Sequence, residues 1–317
     1  MQASQTDKLK IVKNMISVII PTHNRLGMLK ELLASIETQD YSNIEVIIIN
    51  DACSDGTDIF LSSEAPKHNW IVINNEQSVQ VGESRRKGLL LSKGDYVAFV
   101  DDDDFFTDDS YFSRAVDLFQ EYSSLSIVAA NSVNKYEIGG GEAENYVNIC
   151  GFIDRMKYLS GFHFKWSKPN PSFAVFRKSM LINAGVDTMQ TVNDASIYMR
   201  ALLVGDIFIE HHPVGVYRVH ENNISKNLEA DFIIKNLEEK DYVFQKLKKS
   251  KVPFSLSLWW YNTVRLTVDY YLASNPSASE LSKVRKWCKK HLNQSMKLFI
   301  YFHCGYLFKL KKWILSR

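Results

Sequence analysis

Along the first hundred residues, short apolar runs alternate with segments whose apolar positions recur every three or four residues. Ile16-Ser-Val-Ile-Ile20 is β-branched and stops at Pro21, and Met28, Leu29, Leu32, Leu33 and Ile36 then follow at helical spacing. Ile44 to Ile49, Trp70 to Ile73 and Tyr96 to Val100 are further strand-like runs, with a helix expected over Gly82 to Leu91. Nearly continuous apolar strands interleaved with helices predict a parallel sheet covered on both faces. Ligands of open α/β sheets sit beyond the carboxyl ends of the strands. The loops Pro21 to Arg25, Asn50 to Thr57 and Asp101 to Asp104 are therefore expected to open on one edge.

Beyond Asn131 the pattern is less regular. Phe173 to Phe176 and Ile207 to Ile209 read as strands, Asp194 to Val204 as a helix, and Gly139-Gly-Gly141 as a flexible loop. Past Leu228 it turns helical, over Phe232 to Lys249, Ser257 to Leu272 and Ala278 to Leu292, with breaks at Pro253 and Pro276. A domain boundary is expected near Ser225.

The 317 residues, 45% hydrophobic and 23% charged, suit a globular protein of one large or two modest domains. Cys53, Cys150, Cys288 and Cys304 show no CxxC spacing, which argues against a zinc site or a disulfide framework and for reduced thiols in the cytoplasm. Residues 1–14 are polar and carry no apolar core of a secretory signal, and Met15 is a candidate start. The net charge of +2 is uneven: Leu281 to Arg317 holds ten Lys or Arg and no Asp or Glu. Within it, Leu298 to Phe308 is apolar and aromatic but shorter than the ~20 residues a membrane span needs. Two readings stay open, a surface-lying membrane anchor and a packed C-terminal helix. Nucleic-acid binding is not expected, because no recognised module accompanies the basic tail.

The sharpest chemical signal is Asp101 to Asp104, four carboxylates directly after the strand Tyr96 to Val100. Such crowding is unfavourable unless a cation or several donors offset it, and a hard divalent cation takes oxygen ligands of this kind. The competing reading is a capping loop, with Asp109 or Ser110 beginning a helix over Phe112 to Tyr122.

Four motifs carry a resemblance. Met15-Ile-Ser-Val-Ile-Ile-Pro-Thr-His-Asn24, Ile48-Ile-Asn-Asp-Ala-Cys-Ser-Asp-Gly-Thr57, Gly94-Asp-Tyr-Val-Ala-Phe-Val-Asp-Asp-Asp-Asp104 and Tyr217-Arg-Val-His220 resemble, in order and spacing, an inverting family 2 glycosyltransferase of bacterial surface-polysaccharide type. The resemblance covers about Ile16 to Ser225. It implies a GT-A fold, Rossmann-like, with a mostly parallel sheet flanked by helices. Residues 15–225 would form the catalytic domain, with a nucleotide-sugar half over about 15–104 and an acceptor half over about 105–225. Residues 226–317 would form a helical, basic C-terminal extension. It further implies Mn²⁺ or Mg²⁺, a nucleotide-sugar donor, UDP-linked by preference, and a glycan or lipid-linked glycan acceptor. The place of action would be the cytoplasm, with peripheral contact on the inner face of the membrane.

Residue roles follow the resemblance. Pro21 and Thr22 match positions beside the base and ribose, and Asp51 the carboxylate that accepts from the base. Arg85, in Gly82-Glu-Ser-Arg-Arg-Lys-Gly88, matches an arginine expected near the nucleotide or its diphosphate, although Arg86 stands where the family has Asn. Asp103 is the expected principal metal ligand, Asp101 and Asp102 share ribose and metal contacts, Asp104 supports, and His220 is a further candidate ligand. Asp194, in Val192-Asn-Asp-Ala-Ser-Ile-Tyr-Met-Arg200, is the candidate general base, with Asn193 in place of the usual Glu and helix capping as its other reading. Lys168-Pro-Asn-Pro-Ser172 falls at the family's acceptor loop, and Trp166 is a candidate platform for a sugar ring. His211 and His212 read as structural or exposed, and Asp55-Gly56-Thr57 as turn and cap chemistry. Two alternatives stand beside this reading. A nucleotidyltransferase would need a phosphate loop that is not evident, and a metal- or carbohydrate-binding module finds no EF-hand spacing in the acidic run.

Overall fold

The structure is a computed structural model, and it describes residues 11–137, 139–162, 164–189, 192–220, 229–274 and 276–292. The strands are β1 (Val12–Thr22), β2 (Ile44–Asn50), β3 (Ile71–Asn74), β4 (Gly94–Phe99), β5 (Phe105–Phe106), β6 (Leu125–Tyr136), β7 (Glu142–Asn145), β8 (Gly151–Ile153), β9 (Ala174–Arg177) and β10 (Asp206–Val219). The helices are α1 (Leu26–Glu37), α2 (Thr57–His68), α3 (Gln80–Leu91), α4 (Tyr111–Glu121), α5 (Arg155–Gly161), α6 (Lys178–Asn183), α7 (Asp194–Ala201), α8 (Ala230–Lys248), α9 (Leu256–Ala273) and α10 (Ala278–His291). They divide into two compact units, the first within Met1–Tyr158 and Ser167–Val219, the second within Leu159–Trp166 and His220–Arg317.

The first unit is built on one sheet, in the order β3-β2-β1-β4-β9-β6-β10-β5, with β7 on β6 and β8 on β10. The expected parallel pairing holds for β3, β2, β1 and β4. It fails at β9, which runs antiparallel to both β4 and β6. β6 and β10 are again parallel, and β5, β7 and β8 pair antiparallel. Ile16, Val18 and Ile20 of β1 face the core shared with α1 and α4, while Ile19 points to the other face, where α3 lies. Burial on both faces explains why β1 shows no alternation.

Pro21 does not end β1 as expected; the strand runs on to Thr22. Ile19 bonds toward β4, through Val100 N–H, and Thr22 toward β2, through Asp51 N–H. Pro21 therefore faces the β4 side, where that ladder has ended at Phe99, and no partner needs its missing N–H. Neither Asp109 nor Ser110 caps α4 with its side chain; Asp109 instead accepts from Thr38 Oγ1 at 2.7 Å. The helix expected to reach Val204 stops at Ala201.

The second unit is helical. α8, α9 and α10 bury Leu237, Val243, Trp259, Trp260, Val264, Val284 and Trp287, and Trp259 Nε1 donates to the Leu159 carbonyl at 2.8 Å. The expected tail segment Leu298 to Phe308 lies outside the described residues. No described helix is long and apolar enough to cross a membrane.

Candidate active site

The carboxyl ends of β1, β2 and β4 bring the three expected loops together. Asn24 and Ala52 take left-handed backbone conformations, with φ 54° and 59°. Two side chains hold these turns: Asn24 Oδ1 accepts from Ser54 N–H at 2.7 Å, and Asn50 Oδ1 from Cys53 N–H at 3.1 Å. Asp55 acts as turn and cap, accepting from Thr57 N–H and Oγ1 and, across the loops, from Leu26 N–H at the start of α1. His23 Nδ1 lies 2.6 Å from the Asp51 carbonyl oxygen.

Asp51 is 4% exposed, and its carboxylate accepts from Asn75 Nδ2, Ser78 Oγ, Val79 N–H and Gln80 N–H at 2.7 to 3.1 Å. Burial works to raise this carboxyl, and the four donors overcome it, so it sits below the ordinary range. Its oxygens thus hold the segment entering α3, a task not foreseen from sequence.

Asp101, Asp103 and Asp104 each turn a carboxylate oxygen inward, all within 4.8 Å of one another. Asp104 is fully buried; it accepts from Arg218 N–H at 3.2 Å and lies 3.5 Å from Asn170 Nδ2. Burial, then Asp103 and Asp101, push its carboxyl well above the usual range. A compact set of three carboxylate oxygen donors suits a hard divalent cation. Asp102 points elsewhere. It accepts from Arg25 Nη1 at 2.9 Å and from His23 N–H at 3.3 Å, and the same Arg25 nitrogen reaches Asp103 Oδ2 at 2.6 Å.

Arg85, 4% exposed, joins the acidic run to the base candidate. Its Nη2 donates to Asp101 Oδ1 at 2.5 Å and its Nη1 to Asp194 Oδ1 at 2.6 Å. Lys168 Nζ stands 4.0 Å from the other Asp194 oxygen. Burial works to raise the Asp194 carboxyl; Arg85 and Lys168 overcome it and hold it below the usual range. Burial lowers the Lys168 ammonium, and for Asp101 burial outweighs Arg85 and pushes the carboxyl up to about 6. Capping of α7 falls to Asn193, whose side chain accepts from Ser196 N–H at 3.1 Å, leaving Asp194 at the first helical position.

The Lys168 to Ser172 segment buttresses the acidic run: Ser172 Oγ accepts from Asp101 N–H at 3.1 Å, and Asn170 Oδ1 from Ser172 N–H. Pro21 and Thr22 are buried at the end of β1, beside these loops. His220 and Trp166 belong to the second unit; His220 is buried, and Lys165 Nζ lies 4.5 Å over the Trp166 ring. Arg25 was not foreseen. It follows Pro-Thr-His-Asn directly, and only the charge of the acidic run it faces could have pointed to it.

A family model described as glycosyl transferase family 2 matches residues 17–183, more than half of the chain. The chain belongs to that family. Glycosyltransferase GlyA of Streptococcus pneumoniae is 30% identical over 141 residues, 44% of this chain and 20% of GlyA. A Campylobacter jejuni GalNAc(5)-diNAcBac-PP-undecaprenol beta-1,3-glucosyltransferase is 26% identical over 211 residues, 64% of each chain. The chain thus aligns to less than two thirds of these relatives' own length. The fold matches the solved structure of S. aureus TarS 1-349 in complex with UDP-GlcNAc, with a TM-score of 0.63 at 17% identity over 92% of this chain and 80% of that one. The α/β sheet with C-terminal helices is therefore of the GT-A type expected.

Proposed function

We propose that the protein is an inverting glycosyltransferase that moves a sugar from a UDP-linked donor to a hydroxyl of a glycan or lipid-linked glycan acceptor in surface-glycan synthesis. The observation that carries the chemistry is Arg85, which ties Asp101 of the carboxylate cluster to Asp194. One guanidinium thereby sets the spacing between the donor's leaving group and the group that takes the acceptor proton. The membership of family 2 and the relatives' names support the substrate class.

In this reading Asp103, Asp101 and Asp104 would hold Mn²⁺ or Mg²⁺. A hard cation there supplies neutralisation of the charge that builds on the departing nucleoside diphosphate. Asp194 removes the proton from the acceptor hydroxyl as that oxygen attacks the anomeric carbon from the face opposite the leaving group. Arg85 and Lys168 keep Asp194 ionised and aimed. Asp51 contributes by fixing the start of α3, and hence Arg85; Pro21, Thr22 and Asp102 line the donor side.

The test is a panel of nucleotide sugars assayed with Mn²⁺, with Mg²⁺ and with chelator. A UDP-sugar is expected to be turned over only with metal, with inversion at the anomeric carbon. Asp194→Asn should lower kcat by about 10²–10⁴-fold, the span of general-base catalysis, while metal-dependent UDP binding by calorimetry persists. Near-normal turnover in Asp194→Asn would remove the base assignment.

A further inference from the structure

Four adjacent carboxylates need counter-charge, and two arginines supply it unequally. Arg85 takes Asp101. Asp104 is met by the Arg218 N–H dipole and lies near the Asn170 amide. Arg25 Nη1 lies between the remaining pair, 2.9 Å from Asp102 Oδ1 and 2.6 Å from Asp103 Oδ2. That geometry, one cationic centre between two carboxylate oxygens, is what a metal ion would otherwise supply. The side chains of Asp102 and Asp103 are only 5% and 6% exposed and Arg25 is 21% exposed, so the contact is poorly screened by solvent. Asp103 also belongs to the three-carboxylate cluster. Any dication held there shares a ligand with a guanidinium.

We propose that Arg25 is the resident counter-cation of the acidic run. Metal alone binds weakly because it must take Asp103 from Arg25, and metal with a nucleoside diphosphate binds tightly because the diphosphate gives the released guanidinium an anion. The inference rests on the metal-assisted reading above. It adds that Arg25 makes metal and nucleotide bind cooperatively, a coupling that is reciprocal by necessity. The consequence is an enzyme that fills its metal site with the donor rather than ahead of it.

The experiment titrates Mn²⁺ by calorimetry into the full chain and its Arg25→Gln, Arg25→Lys and Asp103→Asn variants, with and without UDP. Arg25→Gln removes the charge at similar size. It is expected to lower the Mn²⁺ Kd without UDP by about tenfold or more, and to shrink the gain in Mn²⁺ affinity from UDP by about fivefold or more. Arg25→Lys, which keeps the charge, should stay within about twofold of the wild type for Mn²⁺ alone. Unchanged or weaker Mn²⁺ binding in Arg25→Gln would show that Arg25 only orients Asp103 and would overturn the proposal. Equal tightening in Arg25→Lys would overturn it too, since charge would not be the cause. If the wild type binds no Mn²⁺ even with UDP present, or Asp103→Asn binds it with UDP as the wild type does, the metal reading itself fails and this inference falls with it.

Discussion

Arg85 reaches two carboxylates through different nitrogens, so any phosphate that approached it would compete with two short ion pairs. In the proposed reading it is a positioning residue, and the charge on Asp194 becomes the measurable consequence. A base flanked by Arg85 and Lys168 stays ionised at lower pH than an ordinary carboxylate, because each positive neighbour favours the charged form. Removing one neighbour must raise that pKa. Lys168→Met is therefore expected to move the acid limb of the kcat/KM profile upward, with Lys168→Arg leaving it in place. A uniform loss of kcat/KM with no movement of the limb would assign Lys168 to packing alone. Asp101, Asp103, Asp194 and Arg85 were each legible in the sequence as chemistry-bearing positions. Their pairing was not, because Arg85 and Asp194 stand 109 positions apart and nothing local encodes that distance. Arg25 was missed for a related reason: its partners, 77 and 78 positions on, are fixed by how β1 and β4 lie side by side.

Helix α3 carries Arg85, and its seat on the sheet depends on one small residue. A Cβ at Gly88 would stand 2.3 Å from Ile19 Cγ2, a branched side chain that is itself fully buried. Gly88→Ala is expected to cost about 1–3 kcal/mol in chemical denaturation, the usual range for overpacking, and to lower kcat by shifting the guanidinium. A variant as stable as the wild type would show that α3 can lift off β1. In the second unit, α8 and α9 hold a half-buried charge: Lys240 Nζ donates to Thr267 Oγ1, and burial lowers the ammonium to about 8. The unfolded chain keeps the higher, ordinary value, so between those pH values it binds more protons than the folded one and stability rises with pH. Lys240→Met should abolish that rise and stabilise the protein at pH 7, read from denaturation at pH 7 and pH 10. Among the elements themselves, strongly patterned segments such as α1, α8 and β4 were plain in the sequence. Helix α2 was not, since Ser62, Ser63 and Pro66 give it no clear apolar stripe. Strand β6 was overlooked because Ser126, Ala129, Ala130, Asn131 and Ser132 are small or polar yet buried. Its central place in the sheet, rather than its own composition, makes it a strand.

At the scale of the whole chain, charge is segregated in a way that the catalytic reading does not use. Asp101 to Asp104 crowd one donor loop, while α10 presents Lys283, Arg285, Lys286, Lys289 and Lys290 to solvent and buries Val284, Trp287 and Cys288. Only Lys283 of these has an acidic partner in its own helix, Glu280 at 2.6 Å. The residues that follow continue the bias, with Lys297, Lys309, Lys311, Lys312 and Arg317 around the aromatic run Leu298 to Phe308. A cationic helix leading into such a run has the two signals that peripheral attachment needs, electrostatic attraction and insertable apolar side chains. The lipid-linked acceptor of the proposed function would place the substrate at that same surface. The full chain is accordingly expected to sediment with vesicles containing anionic phospholipid and to stay in the supernatant with neutral ones. Each surface-bound Lys or Arg contributes about 1 kcal/mol, so raising ionic strength should release the protein progressively. Deleting Met296 to Arg317 should weaken binding at low salt and abolish what persists at high salt, because the aromatic residues supply the part that salt does not screen. Sedimentation that is equal on neutral and anionic vesicles would assign the attachment to the apolar run alone, and none on either would remove the membrane from the proposal.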